Sequence, residues 1–145
     1  MIEAESQRAP FAVRFNNGTE SGRADATLDK GGAGEGFRPH ELLEAALASC
    51  MNMSLRMYAR RHSLPLVRVV TQVSLDRSGE NEVVFRYALE LEGALSDAQR
   101  RQLEQVAEAC PVRATLSRGV SFQRSTQEKS NDTKASMPSL RLALT

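Results

Sequence analysis

The segment from His40 to about His62 constrains the fold more than any other part of the chain. Leu42, Leu43, Ala45, Ala46, Leu47, Ala48, Met51 and Met53 make its first three turns apolar over most of their circumference. Glu41 and Glu44 stand in the opening turns, and Arg56, Arg60 and Arg61 stand near the end. The helix macrodipole favours that charge order. Pro39 suits the first helical turn, where its missing N–H would be unpaired anyway. At 1.5 Å per residue the predicted helix is about 30–35 Å long, enough to cross a small domain. A helix apolar nearly all round must be covered on all sides. In a chain of 145 residues, that takes sheets on more than one side or a second subunit.

The length suits one globular core. Residues 1–9 read as a polar leader, Pro10 to Phe15 as a short strand, and Asn16-Asn17-Gly18 as a turn tolerant of positive φ. Thr19 to Leu28 is a second expected strand. Asp29 to Pro39 (DKGGAGEGFRP) is glycine-rich but lacks the GK[ST] ending of a phosphate-binding loop, so it is expected to be a mobile connector. After Pro65, Val67, Val69, Val73 and Leu75 alternate with polar residues. Beyond the turn Arg77 to Asn81, so do Val83, Phe85, Tyr87, Leu89 and Leu91. Period-2 patterning around a Gly-containing turn predicts an antiparallel hairpin with one solvated face.

Ser96-Asp97-Ala98-Gln99 is a capping box opening a second helix. Leu103, Val106, Ala107 and Cys110 then fall on one stripe, which puts Cys110 on the buried side. Pro111 either kinks this helix or starts a new turn. Gly119 is the expected left-handed stop, and Val120 to Gln123 a last short strand. The pattern therefore predicts one α+β domain over residues 1–123, with residues 124–145 as a polar, mobile tail.

Composition removes several function classes. Lys and Arg number 19 against 18 Asp and Glu, a net charge of +1, which is no footprint for nucleic acid. Five Phe, two Tyr and no Trp leave few platforms for base stacking. The opening MIEAESQRAP is not a secretory signal, and Glu44, Asn52 and Arg56 break the longest apolar run, so no membrane span is expected. The two Cys and two His show neither CxxC nor HxxxH spacing, so neither a metal nor another cofactor is expected. Two cysteines without an export signal point to a reducing cytoplasm, where such a pair is either two packed thiols or a redox couple.

Cys50 and Cys110 each lie inside an apolar helical stripe, one per helix. If the stripes pack together, the sulfurs share a pocket. Free Cys is often simply buried, so independent packing is the competing reading. Ser49, Asn52 and Ser54 place polar groups beside Cys50, although Ser-to-backbone hydrogen bonding accounts for hydroxyls inside a helix too.

RPHELLEAALASCMNMSLRMYA (Arg38 to Ala59), followed about sixty residues later by EACPVRATLSRGV (Glu108 to Val120), resembles the osmotically inducible protein C / organic hydroperoxide resistance (OsmC/Ohr) superfamily. The resemblance runs from Phe11 to Gln123. Its most specific parts are P-x-E-L-L-x-A-A-L-x-x-C and C-P-V-x-x-x-L-S. It implies an OsmC-like fold: an intertwined homodimer whose antiparallel sheets wrap two long central helices, with active sites at the subunit interface. It also implies reduction of organic hydroperoxides by Cys50 through a sulfenic acid, a Cys50–Cys110 disulfide, and regeneration by an external dithiol of lipoyl or thioredoxin type.

Members of the best-known branch carry a Glu ten residues before the first Cys, paired with an Arg that contacts the thiolate. Here that position is His40, and Glu41 follows it. A one-residue shift turns a helical side chain by about 100°, so the role passes to Glu41 only if the local geometry compensates. Arg23 is the first choice for the arginine, with Arg14 and Arg38 as alternatives. The expected catalytic set is thus Cys50, Cys110, Arg23 and Glu41. Two rivals stand beside the peroxidase: a thiol redox sensor or disulfide-exchange protein, and a non-catalytic dimer binding a small apolar ligand between its central helices.

Overall fold

The computed structural model describes residues 1–125. Three short strands, β1 (Glu3–Ser6), β2 (Val13–Asn16) and β3 (Ser21–Ala24), form an antiparallel sheet in chain order. A single 3-10 turn, Leu28–Lys30, leads into the helix α1 (Pro39–Arg61). The hairpin β4 (Leu66–Asp76) and β5 (Val84–Gly93) follows, then α2 (Asp97–Glu108) and α3 (Pro111–Leu116). Helices and antiparallel strands are segregated along the chain, as an α+β fold requires.

The hairpin is the clearest match to its sequence pattern. Its pairing runs from Asp76 opposite Val84 to Leu66 opposite Gly93, with one irregularity between Leu66 and Arg68. Gly93 has φ +146, and a Cβ there would lie 2.0 Å from the Pro65 carbonyl oxygen, so a side chain is excluded where the hairpin closes. α1 lies on β4. Two polar ties fix it there: the Asn52 amide donates to the Val69 carbonyl at 3.0 Å, and Glu44 accepts the Leu75 N–H at 2.7 Å. Both serve backbone groups of β4.

The core has two parts along α1. Leu55 and Ala59 meet Leu103 and Ala107 of α2, with Leu89 and Leu91 packed against them. Leu47 and Met51 meet Cys110, with Cys50, Val73, Phe85, Val112 and Leu116 around them. The capping box of Ser96 and Gln99 forms as expected and sets where α2 begins, and therefore which of its residues reach α1.

Five expectations are corrected. Residues 1–9 are not a simple leader: Glu3 to Ser6 pair with Asn16 to Val13 as β1. All four β1 residues are exposed, so the strand rests on backbone hydrogen bonds and has no apolar alternation to betray it. The strand expected over Thr19 to Leu28 stops at Ala24, where Asp25 turns inward and is only 4 % exposed. The Asp25 carboxylate accepts N–H groups from Ala26, Ala33 and Glu35, so the glycine-rich connector is tied down rather than free. Val120 to Gln123 pairs with no strand among the described residues, and Phe122 is 94 % exposed. Nor does Gly119 adopt the left-handed conformation: α3 closes earlier, at Ser117 with φ −82. Most of the predicted tail lies outside the described residues.

Candidate active site

α1 has two unlike faces. Leu47, Met51, Leu55 and Ala59 are buried by the rest of the chain. Leu43, Ala46, Met53 and Met57 are exposed, Met53 by 55 % and Met57 by 65 %. Cys50 sits between them, half-buried. Leu43, Ala46, Cys50, Met53 and Met57 recur at alternating steps of three and four, the spacing of a seam between paired helices. One chain therefore covers one side of its own central helix and leaves the other side apolar.

Cys110 comes to α1 from the corner between α2 and α3. Pro111 starts the new turn, one of the two outcomes the sequence left open, and Cys110 takes the cap position with φ −57 and ψ 133. The Arg113 guanidinium braces the corner by donating to the Glu108 carbonyl at 2.6 Å. Cys110 is fully buried beside Leu47 and Met51, with Cys50 against the same cluster. Both cysteines are free thiols packed in the same cluster. Burial pushes the Cys110 thiol up, the Cys50 contact pushes it further, and the Arg113 and Val112 N–H groups oppose the rise. Cys110 is thus the thiol held protonated, and Cys50 the one open to solvent.

The expected activating residues lie elsewhere. Arg23 on β3 pairs with Glu35 at 3.3 Å and is exposed. Glu41 turns back onto Arg38, accepting its backbone N–H at 2.8 Å and its guanidinium at 2.6 Å. The Arg38 hydrogen bond and charge hold the Glu41 carboxyl below the ordinary range. Arg14 reaches the Ser21 hydroxyl at 3.4 Å. Among the described residues, no hydrogen bond from Arg14, Arg23 or Arg38 reaches Cys50 within the chain. Arg23 and Glu41 nevertheless line one surface depression, together with Glu35, Gly36 and Phe37. Glu41 precedes Cys50 by nine residues, which on a helix is about 13 Å along the axis and roughly two and a half turns. The two side chains leave α1 on opposite sides.

One contact near the start of α1 carries no sequence signal. His40 Nε2 lies 3.4 Å from an Arg77 guanidinium nitrogen, across the β4–β5 end of the domain. Both line a cavity of about 330 Å³ with Asp25, Lys30, Arg38 and Glu44, and neither cysteine borders it. Its carboxylates are committed to backbone or arginine donors, so the charge there is largely internal to the fold. Burial alone would raise the Asp25 carboxyl. The N–H groups of Glu35, Ala26, Ala33 and Gly34 outweigh it and hold the group below the usual range.

An apolar helix with a central thiol, a second thiol from a Cys-Pro corner, and a strand hairpin between them define the architecture. The OsmC-like protein family matches residues 32–125, and the chain belongs to that family. A structure from Psychrobacter arcticus 273-4, named for osmotic stress induction and a detoxification response, superposes with a TM-score of 0.68 at 23 % identity, over 79 % of this chain and 85 % of that one. An OsmC-like protein from Mycoplasma pneumoniae gives 0.68 at 19 % identity, over 80 % and 85 %. The organic hydroperoxide resistance protein OhrB of Bacillus subtilis gives 0.58 at 18 % identity, over 81 % and 89 %. At these identities the likeness is one of fold. No curated protein sequence matches the chain. No helix among the described residues is long and apolar enough to cross a membrane.

Proposed function

We propose that the protein is a thiol-dependent peroxidase that reduces organic hydroperoxides to alcohols as a homodimer. The observation that carries this reading is the contact between a half-exposed Cys50 and a buried Cys110 inside one apolar cluster. The Cys50 thiolate attacks the terminal peroxide oxygen. An S–O bond forms, the O–O bond breaks, and the alkoxide leaves as the alcohol after taking a proton. Cys110 then attacks the sulfenic sulfur, the S–O bond breaks, and water leaves as the disulfide forms. An external dithiol, of lipoyl or thioredoxin type, restores both thiols. The apolar surroundings suit alkyl hydroperoxides, since each buried CH₂ contributes about 0.8 kcal/mol.

The seam from Leu43 to Met57 supports the dimer, because an exposed apolar stripe of that length is normally covered. With Glu41 and Cys50 on opposite sides of α1, Arg23 and Glu41 serve as activating residues only toward the Cys50 of a second copy. A reducing, cytoplasmic setting keeps both thiols available. Steady-state consumption of cumene or tert-butyl hydroperoxide with a dithiol tests the reading. Wild type turns over, Cys50→Ser does not, and Cys110→Ser, oxidised without the dithiol, carries a sulfenic or higher oxide on Cys50 in place of the internal disulfide. Turnover no faster than that of free cysteine leaves disulfide exchange or ligand binding as the use of the same thiols.

A further inference from the structure

The peroxidase reading requires a disulfide and a reductant, but does not say which sulfur the reductant meets. The two sulfurs differ sharply. Cys110 is 0 % exposed in a single chain, under Leu47 and Met51 and inside the corner braced by Arg113. A second copy can only add cover to it. Cys50 lies half-buried on the stripe that the proposed dimer pairs, and any redox use of this thiol requires that the paired copies leave it reachable from solvent.

We infer that an external thiolate opens the Cys50–Cys110 disulfide by attacking the Cys50 sulfur, with Cys110 as the leaving sulfur. The step balances. The reductant sulfur bonds to Cys50 Sγ, the Cys50–Cys110 bond breaks, and its electron pair goes to Cys110 Sγ, which then takes a proton. The second thiol of the dithiol next displaces Cys50 and leaves as a cyclic or bridged disulfide.

Leaving-group chemistry pulls the other way. A thiol of raised pKa departs more slowly, and burial raises Cys110. Access decides against that trend, because an in-line approach to Cys110 requires lifting the α2–α3 corner off α1. The Val112 and Arg113 N–H groups already oppose the rise at Cys110, so the charge of the departing sulfur meets donors rather than a wholly apolar wall. Once released, the thiolate is readily protonated in its buried site, which slows its return.

The inference rests on the proposed sulfur pair but not on peroxide chemistry, and the test keeps them apart. The full-length protein is oxidised with diamide, exposed briefly to limiting glutathione, quenched in acid and alkylated. The mixed disulfide is then located by peptide mass mapping. Glutathione on Cys50, in roughly tenfold or greater excess over Cys110, is the expected result. Glutathione mainly on Cys110 overturns it. As a second measurement, glutathione is loaded onto Cys110→Ser and Cys50→Ser, and its release by dithiothreitol is timed. Fast release from Cys50, with release from Cys110 fast only in denaturant, supports the inference, and equal native rates overturn it. If diamide links the sulfurs but hydroperoxides do not, the peroxidase reading fails and this one stands. If diamide cannot link them, both fail.

Discussion

The two faces of α1 carry similar side chains and meet different fates. On one, Leu47, Met51, Leu55 and Ala59 are closed over by β4, α2 and α3. On the other, Leu43, Met53 and Met57 face outward although nothing in their chemistry favours water. Cys50 lies on the open side, and the thiol it touches belongs to the closed side. Hydrophobic content therefore does not reveal which face a single chain will bury. The difference comes from what the following hairpin and helices can reach. It also sets the two thiols apart, one half-exposed and one enclosed.

The comparison breaks at its most sensitive point with the thiols. Cys50→Ser should lower hydroperoxide turnover on the order of 10³-fold or more, because no other nucleophile stands at that position. Cys110→Ser should spare the first oxidation but form no internal disulfide, so one equivalent of alcohol per Cys50 is the expected yield when no external thiol is present. Next come the buried leucines. Leu55→Ala empties a fully enclosed site between α1 and α2 and should cost about 2–5 kcal/mol in denaturant unfolding. The same truncation at Leu43, on the open face, should cost far less in any species that remains monomeric.

Charge on the open face sharpens the contrast further. Met53→Glu and Met57→Glu should move a dimer toward monomer in sedimentation equilibrium. A loss of about 1.4 kcal/mol weakens association tenfold. An unchanged sedimentation profile for both variants would show that no second copy covers the stripe.

The smallest effect lies away from both faces. Hydrogen bonds from the Ser78 hydroxyl and N–H, with Arg86, lower the Asp76 carboxyl from 3.8 to about 2 at the turn end of the hairpin. A folded pKa below the unfolded one stabilises above the unfolded value. That contribution is present above pH 3.8 and lost as the pH falls toward 2. Asp76→Asn should lower stability near neutrality, where the contribution is fully present, and flatten the acid limb so that variant and wild type converge toward pH 2.

Much of this arrangement is legible in the residues. Alternation over Val67 to Leu91 predicts the hairpin, and Ser96 with Gln99 fixes the start of α2. The stripe ending at Cys110 foretells its burial. What escapes has a common physical origin. β1 is polar throughout and held by backbone pairing, so no periodicity marks it. Asp25 reads as an ordinary loop acid until its carboxylate is seen gathering N–H groups from eight and ten residues away. The His40–Arg77 contact joins residues 37 apart, beyond the reach of local pattern. For the site, the motifs around Cys50 and Cys110 identify the pair. The commitments of Arg23 to Glu35 and of Glu41 to Arg38 become visible only in three dimensions.

The most direct test of the central claim is the intact mass of the reduced protein after one equivalent of an organic hydroperoxide. A loss of two hydrogens, with one internal disulfide joining the Cys50 and Cys110 peptides and one equivalent of alcohol released, is the predicted result. An unchanged mass with the hydroperoxide intact would contradict it, whatever the distance between the sulfurs.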